Sequence, residues 1–287
     1  MRLTDLKAKY IILFILFFVS GTIFAQKNIV LLSTNDTHSR IEPLPATDNT
    51  YPDKGGAVRR AAYIDKVRKE NKNVLVFDAG DFVQGTPYFN MFGGRVETKV
   101  MNLIGYDAGT LGNHEFDDGL DTLKRIVSEL NFPIVNCNYD FSNTVLKGLV
   151  KPYIIIKKDG LKIGVLGVGA DPDGLVQKEK YEGMIFNPII ESVNKYAKML
   201  KEQERCDLII CLSHIGYTMH VDGDIVDPVL AEQSRYVDII IGGHSHTFME
   251  KPDVRKNLDG KDILIFQTGK NGVYVDKIDV KLDKVKK

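Results

Sequence analysis

The chain has 287 residues, 44% of them hydrophobic, with 38 basic and 38 acidic side chains and a formal charge of zero. With no basic stripe or charge run, the composition argues against a nucleic-acid polymer or an anionic membrane surface as partner. Three cysteines (Cys137, Cys206, Cys211) do not make a disulfide framework.

In chain order, Arg2, Lys7 and Lys9 precede an unbroken apolar and aromatic run, 10–19, and Gly21-Thr22-Ile23-Phe24-Ala25 then offers a small residue at a cut before Gln26. That is the layout of a secretory signal peptide over residues 1–25. The run is short of the roughly 20 residues a spanning helix needs, and a retained N-terminal anchor is the alternative reading. Residues 26–287 are expected to form one exported domain, periplasmic or extracellular, with no membrane span after cleavage.

Buried strands are predicted at 29–32, 74–77, 134–135, 163–168, 208–212 and 239–241. Helical periodicity marks 58–69, 97–104, 120–130 and 188–204, the last opened by Asn187 as a cap with Pro188 in the first turn. Strands alternating with helices argue for a layered α/β domain. Residues 263–268 and 273–282 read as successive strands joined at 269–272, and 40–54 is the longest irregular loop. Cys211 lies within a strand pattern and Cys206 just before it, so buried thiols are expected, one bridge remaining open in an oxidising compartment.

Five of the six histidines lie in short polar motifs after apolar runs: Asp36-Thr37-His38, Gly112-Asn113-His114-Glu115, His214, and Gly243-His244-Ser245-His246; Gly80-Asp81 closes a further run. His220 fits no motif and reads as a surface or loop histidine. Taken singly, each fragment has an ordinary reading, as a chance match, a turn aspartate or a core histidine. Together they supply carboxylate and imidazole ligands without thiolates, a donor set suited to Mn, Zn or Fe. Asp36 and His38, two apart on an extended strand end, are expected to point to one side, as are His244 and His246. Gly80 permits a sharp turn that would set Asp81 between two ions.

In this order, and with the stretches Ser33-Thr34-Asn35-Asp36-Thr37-His38, Gly55-Gly56-Ala57-Val58-Arg59-Arg60, Gly80-Asp81-Phe82-Val83-Gln84-Gly85-Thr86-Pro87 and Gly112-Asn113-His114-Glu115-Phe116-Asp117, the chain resembles the calcineurin-like metallophosphoesterases, in particular the 5′-nucleotidase and UDP-sugar hydrolase branch. The resemblance implies a four-layer αββα sandwich of two mixed sheets flanked by helices. It implies two divalent metal ions (Mn, Zn, Fe, Mg or Ca), the first on Asp36, His38 and His246, the second on Asn113, His214 and His244, with Asp81 bridging. His114 would face the phosphoryl group, oriented by Asp117, and Asn113 and His114 would contact the phosphate. The implied activity is hydrolysis of phosphate esters, most of all 5′-nucleotides, by a metal-bound hydroxide.

UDP-sugar hydrolysis, cyclic phosphodiesterase activity, sulfur-ester hydrolysis and a non-catalytic scaffold are the other readings, the last opposed by the complete ligand set. Members of that branch carry a C-terminal domain with an aromatic clamp and arginines for the nucleotide. The expected organisation here is a catalytic domain, 26–287, without that specificity domain, which a separate substrate-domain protein would supply; the alternative reading is a domain acting alone on small, exposed phosphoesters. Loop 40–54, with Tyr51, and segment 82–92 are expected to border the small-molecule phosphoester; Tyr88, Phe89 and Phe92 read as core or rim packing.

Overall fold

The strand alternation splits the apolar side chains into three separate cores. From β1 (Phe24–Thr34), Val30 and Leu32 face one way and Ile29 and Leu31 the other, as the two-residue side-chain period of a strand requires. The computed structural model describes residues 24–219 and 223–285; the expected leader up to residue 23, and His220, lie outside the described residues. After β1 come α1 (Ala57–Glu70), β2 (Val74–Asp78), α2 (Pro87–Phe92), α3 (Arg95–Ile104), β3 (Ala108–Gly109), α4 (Gly119–Glu129), β4 (Tyr139–Asp140) and β5 (Tyr153–Lys158). Then follow β6 (Leu161–Gly169), β7 (Ile185–Phe186), α5 (Ile189–Lys198), β8 (Leu208–His214), α6 (Asp227–Gln233), β9 (Ile239–Ile241), β10 (Asp253–Lys256), β11 (Asp262–Phe266) and β12 (Asp276–Val285).

One sheet has the order β12-β1-β2-β3 and the other β10-β11-β9-β8-β6-β5, both mixed; β4 and β7 pair separately. Between the sheets Ile29, Leu31, Leu75 and Phe77 meet Ile163, Val165, Ile210 and Leu212. On the outer face of the first sheet Val30, Leu32 and Val76 pack with Ile64 and Val67 of α1, Met101 of α3 and Ile126 of α4. Beyond the second sheet Ile209, Cys211 and Ile240 pack with Val193 and Ala197 of α5 and Leu230 of α6. Three cores between four layers make the αββα sandwich. Among the described residues no helix is long and apolar enough to cross a membrane.

Several local expectations need correction. Residues 134–135 form only isolated bridges, to Gly109 and Lys151. Just beyond them the Asn136 side-chain oxygen accepts from the amides of Asn138 and Tyr139 and turns the chain away. Asn187 does not cap α5: Pro188 holds the cap position, and the Asn187 side chain donates to Asn138 O instead. The two C-terminal strands are successive but lie in different sheets, because β12 pairs with β1 and β11 with β9. Edge strands β5 and β10 are missing from the sequence reading; Asp253, Arg255 and Lys256 leave β10 little apolar signal, whereas β5 has an apolar run over 153–156. Cys137, Cys206 and Cys211 are all free and buried.

The parallel strands matter most for the site. Register pairs Thr34 with Asp78 and Asp78 with Gly109, so β1, β2 and β3 end level. In the other sheet β6, β8 and β9 run parallel. Asp36, Asp81, Asn113, His214 and His244 all follow the C-terminal ends of parallel strands, where an open α/β sheet presents its loops.

Candidate metal centre

The loops leave these strands through unusual backbone. Asp36, His38, Asp81, His244 and His246 all have positive φ, between 46° and 73°. That corrects the expectation of an extended Asp-x-His: both side chains reach the site from left-handed turns. Such conformations are unfavourable for residues with a Cβ and concentrate at functional sites. Here they are held by cross-loop bonds, Asp36 N donating to Gly80 O at 2.9 Å and His38 N to Asp81 O at 3.0 Å. The packing leaves no room beside them: a Cβ on Gly112 would lie 2.1 Å from Asp81 Oδ1 and 2.7 Å from His214 Nε2.

The side chains gather into three overlapping groups whose ligand atoms lie within 4.8 Å of one another: Asp36, His38 and His246; His38, Asp81 and His114; Asp81, His214 and His244. Asp36 Oδ1 is 3.3 Å from His246 Nε2 and 3.8 Å from His38 Nε2, and the two imidazole Nε2 atoms are 3.0 Å apart. Asn113 joins through Oδ1, which accepts from His244 Nδ1 at 2.9 Å. All seven residues expected as ligands therefore meet at one place. His114 N–H donates to Asp81 Oδ1, and its Nδ1 donates to Asp117 Oδ2 at 2.8 Å, leaving Nε2 free of that dyad.

His214 tests whether the set fits a cation. Its Nδ1–H donates to Ala79 O at 2.6 Å, which fixes the tautomer and leaves the Nε2 lone pair free. That buried Nε2 has no hydrogen-bond partner, yet lies 3.1 Å from Asp81 Oδ2. A lone pair facing a carboxylate oxygen is repulsive until a proton or a cation sits between them. Three overlapping groups of carboxylates and imidazoles, Asp81 belonging to two of them, fit hard divalent cations.

The electrostatics of the bare side chains agree. Burial alone would lower His214, but the charges of Asp81 and Asp36 carry it up to about 10. Burial likewise works against an ionised Asp81, yet His214, then His114 and His38, hold it well below the usual carboxylate range. Burial pushes His38 down. The hydrogen bond to Asp117 raises His114 to about 9.

Three supporting residues escaped the sequence reading. Glu115 is buried and accepts from the amides of Asp81 (2.9 Å), Phe82 (2.9 Å) and Gly112 (2.6 Å), tying two ligand loops together. Burial, then the charge of Asp81, raises it to about 8. Asn35 spans Asp36 and Thr268, and Gln267 donates to Gly243 O. Glu115 and Asn35 carried a signal, standing beside His114 and Asp36 in their motifs; Gln267 lies outside every motif and carried none.

A cavity of about 670 Å³ adjoins His244 with Leu175, Phe186, Ile189, Ile215 and Ile225 in its wall. Of the residues expected near the substrate, Tyr51 meets Tyr274 edge to face at 5.6 Å. Phe89 is buried, Phe92 is exposed, and the Tyr88 hydroxyl donates to Glu42.

Comparison with known proteins gives a consistent picture. The calcineurin-like phosphoesterase family matches residues 29–248. The trifunctional nucleotide phosphoesterase YfkN of Bacillus subtilis is 31% identical over 288 residues, covering 89% of this chain and 18% of that protein. The snake venom 5′-nucleotidase of Gloydius brevicauda is 31% identical over 275 residues, covering 89% and 45%. Among solved structures, the 5′-nucleotidase precursor from Thermus thermophilus superposes with a TM-score of 0.79 at 32% identity, over 90% of this chain and 54% of that one. This chain thus spans less than half of each of these two curated relatives.

Proposed function

The chain belongs to the calcineurin-like phosphoesterase family, and from that premise we propose that it is a two-metal phosphoester hydrolase acting on 5′-nucleotides. The observation that carries the reading is the convergence of seven carboxylate, amide and imidazole ligands beside the His114–Asp117 pair. Asp36, His38 and His246 would hold one ion and Asn113, His214 and His244 the other, with Asp81 shared. When bound, the ions supply Lewis acidity toward phosphoryl oxygens and an activated water at neutral pH.

The chain's own groups do the rest. Asp117 accepts from Nδ1 of His114, so it orients the ring and favours positive charge on it. Nε2–H is then the donor toward the phosphoryl group, where negative charge grows in the transition state. The Asn113 amide orients the same group. Glu115 keeps the Asp81 and Gly112 loops in register so that these donors stay aimed. The apolar side chains of the cavity beside His244, set among Asp171, Asp173, Glu191 and Asp224, support a substrate with an organic leaving group.

Export to the periplasm or outside the cell belongs to this reading, supported by the basic and apolar start of the chain and by the venom relative.

The deciding experiment assays residues 26–287 with Mn against AMP, UDP-glucose, p-nitrophenyl phosphate and its bis ester, with His114→Ala alongside. Metal-dependent release of phosphate from AMP, lost by about 10²–10⁴ in rate in the variant, is the expected result. Faster turnover of the diester or of UDP-glucose than of AMP would replace the nucleotidase reading with a diesterase one.

A further inference from the structure

A second cavity, of about 490 Å³, opens between the N-terminal turn of α1 and the segment leading into β12. Lys54, Arg59, Arg60, Tyr63 and Tyr274 line it, and none of the metal-centre residues does. Arg60 is its unusual feature. The residue is only 5% exposed, and its Nε and Nη1 are buried with no hydrogen-bond partner. A guanidinium has five donors and no way to shed its charge, so burying it without an acceptor is strongly unfavourable.

The nearby carboxylate does not supply that acceptor. Asp78 feels the Arg60 charge, but its oxygens are engaged by Thr34 Oγ1 at 2.6 Å and by the Gly80 amide at 3.0 Å. The backbone is nonetheless shaped around the guanidinium. Gly272, at φ 59°, passes so close that a Cβ there would lie 2.2 Å from Arg60 Nη1.

The rest of the lining has the same sign. The first turn of α1 has no side-chain cap, so its positive end is free of a local anion. Lys54 is exposed at the rim. Asp53 is the one carboxylate in the lining, and it is paired with Arg59. Tyr63 and Tyr274, 38% and 37% exposed, offer ring surface beside the cations.

We propose that this cavity is an oxyanion site, for a phosphate or phosphate-monoester group, separate from the metal centre. The Arg60 guanidinium backs the anion with its charge from below, and Lys54 and the α1 N-terminus face its oxygens and complete its charge balance. The two tyrosine rings leave room for an organic substituent.

The chain contains no tryptophan, so Tyr63→Trp in the metal-loaded full chain gives an emission signal that belongs to this cavity alone. Inorganic phosphate is titrated at constant ionic strength, with chloride as the control salt and phenylphosphonate as an uncleavable organic arm. A saturable shift with phosphate is expected, weakened about tenfold or more by Arg60→Met and measurably by Lys54→Ala. Tighter binding of phenylphosphonate would assign the site to organic phosphates, and equal binding to the free ion. Lys54 is exposed, so its variant carries the test should Arg60→Met fail to fold. No saturable shift, the same shift with chloride, or a shift indifferent to Lys54→Ala and to a folded Arg60→Met would overturn the proposal and leave Arg60 a water-bridged neighbour of Asp78.

Discussion

At the scale of single residues the site depends on groups that hold other groups. Asp117→Asn keeps the size of the dyad partner and an acceptor for His114 Nδ1 but removes the charge. We expect kcat to fall by about 10–10² with KM little changed, a smaller loss than the 10²–10⁴ for His114→Ala; an unchanged kcat would mean that Asp117 does not act through the ring. Glu115→Gln should act on stability as well. Its carboxylate accepts from the backbone amides of Asp81, Phe82, Val83 and Gly112 in the interior, and an amide NH2 turned toward any of them leaves a buried donor unpaired. A loss of about 2–4 kcal/mol in urea denaturation is expected, together with weaker metal retention on dialysis; wild-type values for both would show that the two ligand loops do not need Glu115. The residues that converge at the centre were legible in the sequence, because each stands at the end of an apolar run, most of them in a short motif. Their left-handed backbone was not. The sign of φ at Asp36 and His38 comes from amides bonded across to Gly80 and Asp81, partners more than forty residues away along the chain.

At the scale of elements, strand ends bury polar groups that interior positions would not tolerate. Asp276 opens β12 opposite Ser33 of β1, and neither Asp276 Oδ2 nor Ser33 Oγ has a hydrogen-bond partner. Burial raises the Asp276 carboxyl to about 6. A raised folded pKa on an acid means that the folded state holds its proton longer than the unfolded state does. The penalty is therefore absent below the ordinary carboxylate pKa, grows as pH rises toward 6, and is constant above it. Asp276→Asn should remove that dependence. Relative to the wild type, the variant should gain stability between pH 4 and pH 7 by less than about 3 kcal/mol, read from urea midpoints along that range. Parallel curves for the two proteins would show that the carboxyl is not penalised. Elements with strong apolar runs or periods, such as β2, β6, β8 and α4, were readable from pattern alone. The separation of β11 and β12 into different sheets was not, since it depends on β12 finding β1 at the opposite end of the chain.

At the scale of the whole molecule the layers explain why the centre has to be where it is, and why a metal should stabilise more than the loops that touch it. The apolar runs foretold buried strands, but only the assembled sheets show, among the described residues, that both faces of each sheet are covered, with three cores. Polar groups at the ends of such strands cannot be solvated by rearranging a surface. Asp36 and His214 are fully buried and Asp81 is 2% exposed, and they come from β1, β8 and β2, strands of both sheets. Ions bound there would join the two halves of the sandwich, and binding to the folded state alone raises stability by about 2.7 kcal/mol at a hundredfold excess over Kd. Chelation should therefore lower the midpoint of thermal unfolding by roughly 5–10 °C, with far-UV circular dichroism at room temperature unchanged because the cores remain. Restoring Mn should reverse the shift. Asp81→Asn should respond weakly to either treatment, since the shared ligand is lost while the layers stay intact. A wild-type midpoint indifferent to chelator, in protein shown by elemental analysis to have lost its metal, would mean that the cores alone set the stability and that the ions serve chemistry only.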